Sequence, residues 1–137
     1  MSADTPACIH RVLDGNIQEF VLTEISRRAL DEMFDTTEKF LLEAVESGGS
    51  SAGSGAVLID SSVGPQSLNY SLVRLRAMMG RFPGQRKAAI AIILPSNPLV
   101  RTISVMMRSI APVRIYTPQE REKALAWLRE RVQVVEG

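Results

Sequence analysis

The sequence predicts an α/β domain: a mixed sheet of four or five strands, an N-terminal β-hairpin and four helices, in the order β-β-α-β-α-β-α-β-α. Three observations carry this. Asp14-Gly15, a turn dipeptide, separates two runs rich in Val, Ile, Leu and Phe, which is a hairpin signal. "AVLIDSS" (56–62) and "AAIAIIL" (88–94) begin as apolar runs too short for core helices, the pattern of strands buried on both faces. Between and after them lie segments with apolar residues at helical spacing.

Taken in order, "CIHRVLDGNIQEFVLTE" is the hairpin, and its first strand should be an antiparallel edge. In "ISRRALDEMFDTTEKFLLEAVES", Leu30, Met33, Phe34, Thr37, Leu41, Ala44 and Val45 form one helical stripe. "SGGSSAGSG" (47–55) has nothing to bury and reads as a flexible loop. After the strand at 56–62, "QSLNYSLVRLRAMMGRF" is a second helix with Leu68, Leu72, Leu75 and Met79 inward, closed by Gly80 or Pro83-Gly84. "NPLVRTISVMMRSI" (97–110) is a third, with Leu99, Ile103, Met106 and Ile110 inward and Pro112 as its stop. "VRIYT" is the last strand. Thr117, Pro118 and Glu120 then have the spacing of a capping box with proline at the first helical position, opening the helix "PQEREKALAWLRERV". Parallel neighbours in such a chain require right-handed helical crossovers.

The length of 137 residues suits one domain, spanning 1–137, with residues 1–7 and 47–55 flexible and 132–137 a tail. With 5% aromatic residues, aliphatic side chains and methionines must fill the core. One cysteine, Cys8, leaves no intramolecular disulfide and fits a reducing compartment. No apolar run approaches a transmembrane span, and "MSADTPA" has neither basic region nor apolar segment. The expected address is the cytoplasm.

Several stretches carry a family resemblance. "LTEISRRALDEM" resembles the opening of the long first helix of the STAS superfamily, the fold of the anti-anti-sigma factors, and "VLIDSS" resembles its strand ending in aspartate. "KAAIAIIL" resembles its central strand, and "RIYTPQEREKALAWL" its closing strand, turn and Ala-Leu-x-Trp-Leu helix. The likeness is to the SpoIIAA-like branch and runs from Ile9 to Leu128. It implies a non-enzymatic regulatory module acting through protein–protein contact. In that family a serine in an Asp-Ser-Ser-Gly-like motif, at a helix N-terminus, is phosphorylated by the partner kinase. Asp60, Ser61 and Ser62 are therefore the candidate switch. Here Gly64 comes one residue late, and the aspartate ends the strand itself. The structural alternative is that Asp60 and the serines cap the coming helix.

Other chemistries fit less well. The single histidine, His10, lies on an edge strand, away from the strand-end serines that a hydrolytic triad would have to join to it. No ligand spacing suggests a metal, no cofactor motif is present, and the glycine-rich stretch precedes a strand instead of following one, so it is no phosphate loop.

Charge is segregated. Residues 1–60 carry eleven acidic and four basic side chains, while 61–117 carry eight basic and no acidic ones. The basic helices can pair with the acidic first helix, within the chain or across a dimer, or meet an acidic protein or anionic head groups. Arg74 and Arg81 are seven apart, as are Arg101 and Arg108, so each pair shares a helix face. These four form the candidate surface for an anionic partner: a protein, a second copy or anionic lipid. Nucleic acid is not expected, since net charge is +1 and few aromatics accompany the arginines. Met78, Met79, Met106 and Met107 serve as core filler or, alternatively, line an apolar groove for a lipid or amphiphile.

Overall fold

The structure is a computed structural model that describes residues 6–13, 17–46, 56–81, 89–95 and 113–136. Strands β1 (Cys8–Leu13) and β2 (Ile17–Leu22) lead into helix α1 (Arg27–Glu46). Strand β3 (Ala56–Asp60) is followed by α2 (Leu68–Arg81), then β4 (Ala89–Ile93) and β5 (Val113–Tyr116). A 3-10 turn (Pro118–Glu120) opens α3 (Arg121–Glu136). The sheet is five-stranded and mixed, in the order β1-β2-β3-β4-β5. β1 is the antiparallel edge, paired from Cys8↔Leu22 to Leu13↔Ile17, and the remaining neighbours are parallel. Three α-helices stand among the described residues. The helix expected at 97–110 lies outside them, as do the Asp14-Gly15 turn and the 47–55 loop.

Strand order that advances in one direction puts successive crossovers of one hand on one face of the sheet. The core is divided accordingly. Phe20, Leu22, Ile90, Ile92 and Leu94 face Leu30, Met33, Phe34 and Leu41 of α1 and Leu72, Leu75, Met78 and Met79 of α2. On the opposite face Ile17, Ala56, Leu58, Ala89, Ala91 and Ile93 meet Ala124, Leu125 and Leu128 of α3. The run of alanines is what lets α3 lie close to the sheet. β4 is buried at every position, which accounts for its unbroken apolar sequence. Each large side chain so buried contributes about 1.5–3 kcal/mol before entropy is counted.

Helix starts differ from the sequence reading by two residues, for a local reason. Ser26 caps α1: its Oγ accepts the Ala29 N–H at 3.1 Å. Ser67 caps α2, accepting the Tyr70 N–H at 3.3 Å. These serines satisfy free first-turn donors. At the last helix Glu120 accepts the Thr117 N–H at 2.9 Å, while its own N–H goes to the Thr117 carbonyl. The first turn is therefore 3-10 and not α. At the other end of the chain Pro6 and Ala7, expected in a flexible leader, are tied down. Ala7 and Cys8 donate their N–H groups to Glu32 Oε1 at 2.8 and 2.9 Å, and Thr23 N donates to the Ala7 carbonyl. Burial acts to raise the Glu32 carboxyl, but Arg28 and these two N–H groups outweigh it and hold it below its usual range.

Candidate functional site

The segment 60–64 leaves the carboxyl end of β3, in the middle of the sheet, as a tight loop. Ser61 N donates to the Ile93 carbonyl at 2.8 Å, prolonging the β3–β4 ladder by one residue. Its hydroxyl donates to the Gly64 carbonyl at 2.6 Å, and the residue is only 2% exposed. The chain reverses at Gly64, whose φ of +142° suits only glycine. A Cβ there would lie 2.7 Å from Ile25 Cδ1. Ser62 is exposed, and its N–H and hydroxyl both go to Asp60 Oδ1, at 3.0 and 2.5 Å.

This geometry separates three residues that the sequence groups together. Ser61 is a buried, bonded link in the fold and is not open to a modifying enzyme. Ser62 is open to solvent. Neither stands at a helix N-terminus, since α2 begins at Leu68 with Ser67 as its cap. The expectation that Asp60 and the serines would cap α2, or place a phosphate on its first turn, is corrected by the four loop residues from Val63 to Gln66. Asp60 turns instead toward the α3 face, where Oδ2 lies 3.6 Å from Arg121 Nη1.

Arg121 connects this loop to a residue that sequence reasoning missed. Glu19 of β2 is fully buried, and its Oε2 accepts a hydrogen bond from Arg121 Nη2. Arg11, the cross-strand neighbour of Glu19, lies 3.0 Å from Oε1. The N–H geometry is poor, and that oxygen has no hydrogen-bond partner among the described residues. A chain of charge thus runs Arg11–Glu19–Arg121–Asp60 and ends on the Ser62 hydroxyl. The alternation of "IQEFVL" places Glu19 on the Ile17 face, but only the docking of α3 makes that face buried.

The loop is also fastened to its neighbour on the same edge. Gln66 accepts the Ser26 N–H at 3.1 Å and donates to the Glu24 carbonyl at 2.8 Å. The β2–α1 and β3–α2 loops therefore form one surface at the carboxyl ends of the strands. Two large apolar side chains stand out from it, Ile25 at 56% exposure and Val63 at 48%.

The arginines divide as well. Arg74 of α2 is surrounded by the acidic stripe of α1: Nη1 donates to Asp31 Oδ1 at 2.6 Å, and Nη2 to Asp35 Oδ1 at 2.8 Å and Glu38 Oε1 at 2.9 Å. Arg81 Nη1 reaches Glu38 Oε2 at 2.5 Å. The Tyr70 hydroxyl also bonds to Asp31, and the Arg74 guanidinium lies over the Phe34 ring, 5.3 Å from its centre. Burial acts to lower the basicity of Arg74, but bonds to Asp35, Tyr70 and Glu38 outweigh it and hold the guanidinium further above its usual range. Arg74 and Arg81 are thus partners of the first helix within one chain, not an unneutralised outward patch. Arg101 and Arg108 lie outside the described residues.

His10 lies on the edge strand, stacked 4.9 Å from Phe20 with Nε2 2.5 Å from Gln18 Oε1. Among the described residues no group of three or more His, Cys, Asp or Glu side chains is arranged to hold a metal ion, and no helix is long and apolar enough to cross a membrane. A cavity of about 100 Å³ lies between the sheet and the α1–α2 pair, lined by Phe20, Met33, Phe34, Leu75, Met78 and Ile92 among others. Of the four methionines read as core filler or groove lining, Met78 lines it, Met79 is buried in the core, and Met106 and Met107 lie outside the described residues. No family model, no curated protein and no solved structure matches the chain.

Proposed function

We propose that the chain is a non-enzymatic regulatory module of the STAS kind, and that it binds a protein partner through the surface at the carboxyl ends of β2 and β3. The observation that carries this is the juxtaposition of exposed Ile25 and Val63 with the exposed, Asp60-bonded hydroxyl of Ser62. Apolar side chains held in solvent by a tight, well-bonded loop offer contact area at little ordering cost. A hydroxyl beside them is where added charge alters affinity most directly. A phosphate on Ser62 would repel Asp60 and attract Arg121, the one cation within reach of that carboxylate in the described chain. Ser61 takes no part in this, because its hydroxyl is committed to Gly64.

The test is affinity capture from the cells that make the protein, comparing wild type with Ile25→Asp/Val63→Asp and with Ser62→Glu. A partner held by wild type should be lost from the double variant and changed in amount with Ser62→Glu, while circular dichroism stays that of the folded domain. Recovery of the same proteins by all three would sink the reading.

A further inference from the structure

We infer that the cavity between the sheet and helices α1 and α2 is a binding site for a hydrocarbon group: a compact apolar molecule or the end of an alkyl chain. Its walls are mainly apolar, with Phe20, Ile90 and Ile92 from the strands, Met33 and Phe34 from α1 and Met78 from α2. Its polar wall side chains are largely committed elsewhere. Thr37 Oγ1 donates to the Met33 carbonyl at 2.8 Å, Ser61 Oγ to Gly64, and Gln66 is bonded at both ends of its amide. An occupant therefore finds little to hydrogen-bond with and is selected for being apolar.

Size agrees with this chemistry. An apolar cavity of about 150 Å³ stays dry and binds benzene or xenon. At about 100 Å³ this one admits xenon, a small hydrocarbon or a few methylenes of a chain. Protein interiors close such gaps readily, since an unfilled volume forfeits contacts with every wall atom. Here two flexible methionines border a gap that they leave open. Methionine walls also adapt to varied apolar guests. The lining includes Ser61, Pro65 and Gln66, which belong to the loop that carries Ser62. The inference stands on the cavity alone and does not depend on a protein partner.

The experiment uses the full chain labelled with methyl-13C methionine, titrated separately with xenon and with sodium octanoate below its micelle concentration. Saturable shifts are expected at the Met33 and Met78 methyls. Ser71→Leu, which adds carbon to the cavity wall, should raise Tm by a few degrees and abolish those shifts. Octanoate displacing xenon assigns the site to an alkyl tail, whereas xenon binding unaffected by octanoate assigns it to compact hydrocarbons. The absence of saturable shifts with both probes overturns the inference, as do shifts that persist in a folded Ser71→Leu protein. Should that variant fail to fold, the wild-type titrations decide alone.

Discussion

At the scale of single residues, environment sets reactivity. Cys8 is the only cysteine, and burial together with the nearby Glu32 carboxylate pushes its thiol up to about 11 from an ordinary 9.0. A thiol made that much less acidic has a thiolate fraction about a hundredfold lower near pH 8. Alkylation by iodoacetamide at pH 8 should therefore be about a hundredfold slower in the folded protein than in the same protein in denaturant. Equal rates would show that Cys8 is not held as described. Ser61 makes the same point for hydroxyls. Nothing in "DSSVG" distinguishes its two serines. Burial of the first and exposure of the second come from the β3–β4 register and from the reversal at Gly64, both of which depend on the assembled sheet.

At the scale of elements, much was legible because the signals are local. Short apolar runs gave β3 and β4, the strand–turn–strand pattern gave β1 and β2, and the first two helices start two residues later than their apolar spacing suggests because Ser26 and Ser67 serve as caps. The α1–α2 ion-pair seam was half legible. Asp31, Asp35 and Glu38 repeat at spacings of four and three, and Arg74 and Arg81 at seven, so both stripes can be read, but their contact requires adjacent crossovers on one face. The seam has unequal members. Arg74 is 20% exposed and meets three carboxylates, whereas Arg81 is 58% exposed. Arg74→Met should cost about 1–2 kcal/mol in urea unfolding, since it leaves three like charges on one helix face. Arg81→Met should stay within about 0.5 kcal/mol. Salt at about 1 M should shrink the Arg74 effect by screening that repulsion. A neutral Arg74→Met would mean that the seam adds no stability and serves only to keep these arginines from outside partners.

At the scale of the whole molecule, the Glu19–Arg121 contact joins β2 to α3 across 102 positions of sequence. Its two halves are not equivalent. Glu19 is fully buried, while the side chains of Arg121 and Arg11 are 34% and 61% exposed. Removing the carboxylate frees two arginines that water can still reach. Leucine at position 19 would pack among Ile17, Leu58 and the α3 face, and such exchanges of buried ion pairs for apolar residues are often neutral or better. Removing Arg121 instead leaves a buried carboxylate with only a poorly aimed Arg11, and an under-paired buried charge is costly. Glu19→Leu should therefore change stability by less than about 1 kcal/mol, and Arg121→Leu should cost about 2–3 kcal/mol. The double variant should return to within about 1 kcal/mol of wild type, because the charge that made the single change costly is gone. Denaturant unfolding of the four proteins measures the cycle. If Arg121→Leu proves as mild as Glu19→Leu, the carboxylate is not desolvated by α3. If the double variant is no better than Arg121→Leu alone, Arg121 holds the helix by its packing and its contact with Asp60, and the loop that carries Ser62 becomes its principal charged partner.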